Sequence, residues 1–391
     1  MRRIVIVGGG LGGFRTARSL RAAGFDGDVI VVGDEESLPY DRPPLSKQLL
    51  AGTFTPEQCL LAGETSDVRW LLGTAVAGVS LGRQVLTLTD GTDLGFDDLV
   101  VATGRRARPW PGPPTVARVH TLRSLADVAA FQADLADAVD VVVIGAGFVG
   151  CEAAATLRQR GLAVTVVDVS AHPMPVLGDV AGEVARKRHA EHGVRWRLGT
   201  TVAAIEGQAR VRGVRLADGE LLPADAVLVA IGSLPNTEWL AGAGVALRGG
   251  AVEVDRTGRA LDEAGAPVPG LWAVGDAAAW AHPHAPGPVC VEHWSNARDM
   301  ADVVATNLVA AADERTVLTS VPSFWSDQYD MKIKSVGYLR AADQLALVEE
   351  DPARRALLVE ARRAGEVVGV IAFNMPKAVL GYQRALRLRS A

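Results

Sequence analysis

The chain has 391 residues, 49% of them hydrophobic and 22% charged, and its net charge is −5. This length predicts about two or three domains, and the composition is typical of a globular protein rather than a disordered one. The mildly acidic balance argues against a general nucleic-acid binder, and no apolar run approaches the roughly 20 residues of a membrane span. The apolar run at the N-terminus is too short for a secretory signal, so we predict a cytoplasmic protein.

The first elements in the chain are a strand, a glycine-rich turn, a helix and a second strand, predicted at 4–7, 8–13, 14–23 and 28–32. Gly8, Gly10 and Gly13 fit the spacing GxGxxG. Asp34 follows Gly13 by 21 residues, with Glu35 beside it. Such glycines let a backbone approach a pyrophosphate at a helix N-terminus, and the acid accepts hydrogen bonds from ribose hydroxyls. This unit therefore predicts a bound dinucleotide.

A stiff segment, Leu-Pro-Tyr-Asp-Arg-Pro-Pro-Leu-Ser-Lys at 38–47, follows this unit. Pro43 and Pro44 restrict φ and disfavour helix at the residues before them, so a stiff loop can hold Arg42 and Lys47 at set distances from a bound group. That arrangement suits a loop against an anionic group. Taken alone, it is also typical of a surface turn with solvated charges.

Short strands are predicted next, at 76–79, 84–89 and 98–104. The last of them is apolar and ends in Ala-Thr-Gly. The segment 105–114 is rich in proline and arginine, which predicts a linker.

A second strand–turn–helix–strand unit is then predicted, with its regular elements at 140–144, 152–159 and 163–167. Gly145, Gly147 and Gly150 again fit GxGxxG, and Asp168 follows Gly150 by 18 residues. Two such units in one chain predict two dinucleotides bound at once. An acid after the second strand favours NAD over NADP because it repels a 2′-phosphate, although two arginines at 158 and 160 weaken that preference.

The rest of the chain alternates strands with a helical pattern and then changes character near residue 319. A hairpin and strands are predicted, followed by a helical pattern within 289–312; the strands lie at 211–216, 220–222, 226–231, 252–255 and 270–276. Beyond this, further strands and a last helix predict a separate α+β domain, with these elements at 345–349, 356–361, 367–373 and 375–388.

The three cysteines, Cys59, Cys151 and Cys290, are few, odd in number and far apart. They form no CxxC pair, so neither a metal site nor a redox-active dithiol is predicted. Each is interpreted as a small, mostly buried side chain.

Seven segments in order carry a resemblance over essentially the whole chain: LPYDRPPLSK at 38–47, VVATG at 100–104, GAGFVGCE at 145–152, IGSLPN at 231–236, GLWAVGDAA at 270–278, EHWSNA at 292–297 and PSFWSDQYD at 322–330. On them the chain resembles the FAD-dependent, NADH-using ferredoxin reductases of Rieske oxygenases and bacterial cytochromes P450, the putidaredoxin reductase-like family. The resemblance implies an α/β fold with two Rossmann-like dinucleotide-binding domains in a glutathione-reductase-like arrangement, plus a C-terminal α+β domain. It places FAD at 1–108 and 237–319, NADH at 109–236 and the last domain at 320–391.

The same resemblance implies site residues. Contacts to FAD are expected from Gly8, Gly10, Gly13, Asp34 or Glu35, Arg42, Lys47, Thr103, Gly104 and Asp276. Contacts to NADH are expected from Gly145, Gly147, Gly150, Asp168, Gly232 and Asn236. The motif at 292–297 adds Glu292, His293 and Trp294, and Trp325 is a second aromatic candidate near the flavin, although either tryptophan is equally typical of a core.

Lys47 and Glu152 are the implied catalytic pair, where flavin and nicotinamide meet. A lysine ammonium there offsets negative charge on the reduced flavin, and the carboxylate orients it. The alternative for Glu152 is an acid near a helix start that only complements the helix dipole.

The implied activity is hydride transfer from NADH to FAD, followed by single-electron delivery to a [2Fe–2S] ferredoxin or a rubredoxin. An NADH oxidase, peroxidase or disulfide reductase needs a cysteine near the flavin loop, where this chain has Pro44, Leu45 and Ser46. A redox-signalling flavoprotein resembling apoptosis-inducing factor is the other alternative. No metal is expected, and a monomer or weak dimer is predicted.

Two features bear on partners and cofactor preference. Residues 320–391 hold 11 basic and 8 acidic residues, and a basic tail of Lys377, Arg384, Arg387 and Arg389 is a candidate contact for an acidic ferredoxin or a merely solvated helix end. Family members often carry an arginine after the position of Asp168. The segment 173–178 has none here, which weakens the predicted NADH preference unless Arg186, Lys187 or Arg188 takes that place.

Overall fold

The computed structural model describes residues 1–111, 116–282 and 287–390. Residues 389 and 390 are described by their backbone alone. The described helices are α1 to α6, which span Leu11–Ala22, Leu125–Asp134, Phe148–Gln159, Gly178–Glu191, Trp294–Val309 and Pro376–Ser390. None of the helices in these ranges combines the length and apolar character that a membrane span needs.

The first glycine turn belongs to a large mixed sheet. Its central strands are parallel and apolar because helices and loops cover both faces. In spatial order its strands are Pro288–Cys290, Ala278–Ala281, Ala251–Val254, Arg259–Leu261, Pro267–Ala273, Asp98–Val101, Arg3–Val7, Asp28–Val32 and Arg69–Leu71, with Leu247–Arg248 paired to Ala251–Val254.

The second glycine turn belongs to a parallel sheet with the strand order Arg195–Leu198, Ala163–Asp168, Asp140–Ile144, Ala226–Val229 and Val119–His120. Two small antiparallel sheets accompany the large ones, Val76–Ser80 with Val85–Leu88 and Asp93–Gly95, and Val202–Gly207 with Val211–Leu216 and Leu221–Pro223.

The C-terminal unit is an antiparallel sheet of strands Ser323–Gln328, Met331–Gly337, Glu366–Phe373, Ala356–Arg363 and Gln344–Asp351. Helix α6 covers one face through Val379 and Leu386. The other face joins a continuous apolar core in which Ile333 packs together with Leu45 of the proline-rich loop and Cys151 of α3. All three units therefore meet around one core.

The predicted α/β class with a C-terminal α+β unit is confirmed, and so are most strands to within two residues. The predicted linker at 105–114 is wrong at its start, since Arg105–Ala107 is a strand that pairs antiparallel with Ser233–Pro235. Its positions 112–114 lie outside the described residues. The stiff segment at 38–47 also runs into a short helical turn, Leu45–Leu49, which contains Lys47.

Candidate active site

A cavity of about 1210 Å³ opens where the three units meet. Both glycine turns, the proline-rich loop and the C-terminal sheet contribute to its wall. Of the predicted site residues, it is lined by Gly8, Gly10, Asp34, Glu35, Arg42, Lys47, Thr103, Gly104, Gly147, Glu152, Gly232, Asn236, Asp276, Glu292, His293, Trp294 and Trp325. Four others are not among the residues that line it: Gly13, Gly145, Gly150 and Asp168.

The first glycine of each turn permits a close backbone approach. Gly8 has a φ of +121° and Gly145 a φ of +108°, a region that other residues rarely adopt. A Cβ on Gly8 would lie 2.2 Å from the carbonyl oxygen of Ala102, and one on Gly145 would lie 2.3 Å from that of Ala230. These two glycines therefore shape the turn against the adjacent strand.

The other glycines divide between packing and open space. A Cβ on Gly13 or Gly150 would lie about 2 Å from the carbonyl oxygen of the first glycine in its turn, so these residues let helix and strand pack closely. Gly10 and Gly147 cap α1 and α3 without a side-chain hydrogen bond. Each helix thus presents unpaired N–H groups to the cavity, which is the chemistry that holds a pyrophosphate.

Asp168 is half-buried and supports the backbone of the second turn. Its two carboxylate oxygens accept hydrogen bonds from the backbone N–H of Ala146 at 2.6 Å and of Ser170 at 2.7 Å. A carboxylate has about four acceptor sites, so capacity remains for ribose hydroxyls.

The three cations that sequence reasoning offered for the missing arginine have other partners. Arg186 pairs with Glu183 through two hydrogen bonds, Arg188 bonds Asp330 and Glu191, and Lys187 lies 3.8 Å from Glu183. None of the three lines the cavity. The strictness of NADH over NADPH therefore stays a prediction resting on Asp168 alone.

The two acids offered for the adenosine ribose differ in their surroundings. Glu35 accepts hydrogen bonds from Tyr40 at 2.5 Å and Arg42 at 2.7 Å, and Arg42 also donates to the backbone carbonyl of Arg123. Asp34 is exposed on the cavity wall. The geometry thus favours Asp34 as the acid available to a ligand and gives Glu35 the task of fixing Arg42.

Arg123 is a site residue that sequence reasoning missed. Its guanidinium pairs with Asp276 at 3.0 Å and donates to the carbonyl of Arg105 at 2.9 Å. It lines the cavity immediately before α2, whose start is fixed by a capping box between Ser124 and Asp127. That capping box was the available sequence signal, since it marks a helix start beside a charged residue.

Glu152 is the centre of a buried polar cluster. Its Oε2 accepts from Lys47 Nζ at 2.7 Å and Ser46 Oγ at 2.5 Å, and its Oε1 accepts from Ser326 Oγ at 2.6 Å. The side chains of Lys47 and Glu152 are only 12% and 7% exposed. Because Glu152 is the fifth residue of α3 and faces these donors, a role limited to the helix dipole does not account for it.

Aromatic side chains line the part of the cavity next to the C-terminal sheet. Trp294 donates its indole N–H to Asp41 at 2.8 Å. Its ring lies edge-on to that of Trp325, with 6.2 Å between the ring centroids. Trp325 is 41% exposed, so it does not fill a core. Burial lowers the pKa of His293 to about 4, which keeps this cavity residue neutral.

Two buried polar atoms on the wall have no hydrogen-bond partner among the described residues, Thr103 Oγ1 and His293 Nδ1. Buried polar atoms are normally satisfied, so unpaired ones in a cavity point to polar groups of a ligand. Together with the two glycine turns, they fit a cavity that takes two dinucleotides.

Thiolate chemistry lacks a suitable cysteine in the described part of the chain. Cys290 lines the cavity, but its thiol donates to the carbonyl of Asp276 at 3.1 Å, and burial raises its pKa to about 12. Cys59 and Cys151 are buried and outside the cavity wall, and burial raises the pKa of both. The described residues also contain no cluster of His, Cys, Asp or Glu suited to a metal ion.

Comparison with known proteins gives the same picture. The profile of the family described as pyridine nucleotide-disulphide oxidoreductase matches residues 2–301, and that described as reductase C-terminal matches residues 323–391. Rhodocoxin reductase of Rhodococcus erythropolis is 39% identical over 87% of this chain and 79% of that protein. The anthranilate 1,2-dioxygenase system ferredoxin–NAD(+) reductase component of Burkholderia cepacia is 34% identical over 98% of this chain and 93% of its own. In a covalent putidaredoxin reductase–putidaredoxin complex, a chain 31% identical matches with a TM-score of 0.89, covering 99% of this chain and 93% of that one.

Proposed function

The chain belongs to the pyridine nucleotide-disulphide oxidoreductase family, and we propose that it is a flavoprotein that passes electrons from NADH through FAD to a [2Fe–2S] ferredoxin. One observation carries this proposal. A single cavity joins both glycine turns to the buried Lys47–Glu152 pair, and its one cysteine is a protonated thiol engaged with a carbonyl.

FAD would be held by the first unit and NADH by the second. The N-terminus of α1, Asp34 and the Arg123–Asp276 pair provide groups for a pyrophosphate, a ribose and a ribityl chain. The N-terminus of α3 and Asp168 provide them for NADH. When bound, the flavin supplies the step from two-electron hydride chemistry to single-electron transfer.

Lys47 would act on the charge that the flavin gains on reduction. Its ammonium is largely withdrawn from water, where a fixed charge stabilises a developing anion more strongly than in solution. Glu152 would hold that ammonium in place and balance its charge when the flavin is in its oxidised, neutral state.

The sheets support the predicted division of the chain. The first unit would comprise 1–108 and 237–319, because strands from both segments share the large mixed sheet. The NADH unit would comprise 109–236 and the last unit 320–391. The location in the cytoplasm and the monomer or weak dimer stay predictions.

We place the ferredoxin at the cavity mouth beside the C-terminal sheet. Trp325 is exposed there, Lys334 lies directly opposite it in the neighbouring strand, and the exposed Arg340 lines the cavity. An aromatic side chain with one cation opposite it and another on the same cavity wall suits an acidic iron–sulfur protein. Two of the relatives above have names that include a ferredoxin or putidaredoxin.

The test starts from the purified protein. Its flavin content and its NADH-driven reduction of several [2Fe–2S] ferredoxins would be compared with reduction of rubredoxin, oxygen and a disulfide. We expect bound FAD and the fastest turnover with a [2Fe–2S] ferredoxin. A protein without flavin, or one that prefers a disulfide or peroxide, would contradict the proposal. Slow turnover with every acceptor and an NADH-dependent change of oligomer would instead favour redox signalling.

A further inference from the structure

Three fully buried side chains continue the polar cluster away from the cavity. Ser326 Oγ donates to Glu152 Oε1 at 2.6 Å, and Gln328 Nε2 donates to Ser326 Oγ at 3.0 Å. Gln328 Oε1 lies 2.8 Å from His189 Nε2. Ser326 and Gln328 belong to the first strand of the C-terminal sheet and His189 belongs to α4, and none of the three is exposed to solvent. The cluster therefore connects a helix of the second unit to Lys47 through the third unit.

The charge on Glu152 fixes the direction of every hydrogen bond from Glu152 to His189. An ionised carboxylate only accepts, so Ser326 gives Glu152 its single hydroxyl hydrogen. The hydroxyl oxygen then accepts from the amide nitrogen of Gln328, which turns the amide carbonyl toward His189. His189 must carry its hydrogen on Nε2 to donate to that carbonyl.

The remaining features of His189 agree with this order. Its Nδ1 is buried without a hydrogen-bond partner among the described residues, as expected for the unprotonated nitrogen. Burial lowers the pKa of His189 to about 4, so the ring is neutral in ordinary buffers. Edge contacts with Trp196 and Tyr329 hold the ring in place.

The series of hydrogen bonds from His189 to Glu152 orients groups rather than conducting protons. A proton moving from Ser326 toward His189 would have to cross the amide of Gln328, which cannot take it up and release it without changing to an imidic form. Each bond is also already directed toward Glu152. What this series supplies is a hydrogen-bond donor, Ser326, fixed on the second oxygen of the Glu152 carboxylate.

We propose that His189 and Gln328 are positioning residues that act through Ser326 to set how strongly Glu152 attracts the Lys47 ammonium, and thereby the reduction potential of the flavin. This inference rests on the proposed function. With Ser46 and Ser326 donating as well, the negative charge of Glu152 is shared among three donors. Loss of the Ser326 donor concentrates that charge on Lys47, so the ammonium stabilises a reduced, anionic flavin less.

The measurement is the midpoint potential of the bound FAD in the full-length holoenzyme, by anaerobic spectroelectrochemistry. Ser326→Ala, Gln328→Leu and His189→Leu should each shift the potential to more negative values. His189→Gln should stay near wild type because its amide nitrogen can donate where Nε2 did. The matched control is Ser335→Ala, a buried serine of the same sheet whose hydroxyl has no hydrogen-bond partner among the described residues.

A double-mutant cycle separates this route from a general loss of packing. In a Glu152→Gln background, Ser326→Ala and Gln328→Leu should no longer shift the potential. A shift that persists there, or unchanged potentials in all three flavin-containing variants, would overturn the inference. If the larger replacements lose flavin, Ser326→Ala decides, since it removes only one oxygen. Failure of the wild-type protein to bind FAD would instead overturn the proposed function.

Discussion

Lys47 is the charged side chain on which the proposed chemistry depends most directly. Only 12% of it is exposed, and its described hydrogen-bond partners are Glu152 and, at 3.5 Å, Ser46. A buried ammonium with so few partners keeps donor capacity for a ligand, because it has three N–H groups. Its position in a short helical turn, Leu45–Leu49, also limits its freedom.

We expect Lys47→Met to slow flavin reduction by NADH by about 100-fold, the usual loss when one fixed donor to a developing anion is removed. Lys47→Arg should retain part of the rate because the charge remains. Stopped-flow bleaching of the flavin absorbance measures this step directly. Lys332→Met, a change at an exposed lysine of the C-terminal sheet, is the control. Wild-type reduction rates in Lys47→Met would exclude the role.

His189 gives a second prediction at this scale, concerning stability. Its pKa is about 4 in the folded protein and about 6.5 when unfolded, so between these values the unfolded chain binds the extra proton. The free energy of unfolding should therefore fall as the pH drops from 7 toward 5, by up to about 1.4 kcal/mol per pH unit from this residue. His189→Gln cannot titrate and should flatten the dependence. Denaturant unfolding at pH 7.0, 6.0 and 5.5 tests this, and parallel curves for both proteins would contradict it.

At the scale of elements, two glycines of the same turn have separate roles, one in folding and one in ligand binding. Gly145→Ala forces a Cβ to within 2.3 Å of a carbonyl and places alanine at a φ of +108°, so it should cost roughly 1–3 kcal/mol of stability. A Cβ on Gly147 meets no described atom within 4 Å. Gly147→Ala should therefore fold normally and weaken NADH binding, because its methyl group occupies space next to the helix N-terminus.

Thermal unfolding and NADH titration of both glycine variants distinguish the two effects. The flavin should remain bound in both, since Gly10 and its turn are unchanged. Equal NADH affinity in Gly147→Ala and the wild type would show that the ligand does not approach this turn.

Both glycine turns could be predicted from sequence because their requirements are local. The glycine spacing, the packing of the third glycine against the first and the acid after the second strand all lie within about 30 residues. The structure also forms the same hydrogen bond in both units. The first glycine N–H donates to the carbonyl of Val32 at 2.7 Å in one unit and of Val167 at 2.8 Å in the other.

Other parts could not be predicted, for physical reasons. Helix α4 buries Ala181, Gly182 and Ala185, and such small residues give little hydrophobic periodicity. The pairing of Glu152 with Lys47 across 105 residues was implied only by the family resemblance, and Ser326 lies 174 residues from Glu152, so no spacing rule reports their hydrogen bond. The same holds for Arg123 and Asp276, which are 153 residues apart.

For the molecule as a whole, the distribution of cations decides where a protein partner is recruited. The basic tail on α6 was one candidate. The described residues of that helix pack through Val379 and Leu386 against one face of the C-terminal sheet, and none of them lines the cavity. Side chains beyond Leu388, including that of Arg389, lie outside the described part. Lys334 is instead exposed directly opposite Trp325, and the exposed Arg340 lines the cavity.

Electron transfer requires the iron–sulfur cluster to come close to the flavin, so cations near the mouth should matter more than those on α6. We expect Arg340→Glu to raise the apparent KM for an acidic ferredoxin about tenfold at low ionic strength, since rim charges act mainly on association. Arg384→Glu, on an exposed position of α6, should change it little. The difference should shrink near 0.5 M salt because exposed charges are then screened within a few ångströms. Steady-state ferredoxin reduction over a salt series measures both variants, with flavin reduction by NADH as the internal control. A larger effect of Arg384→Glu would return the docking surface to the basic tail.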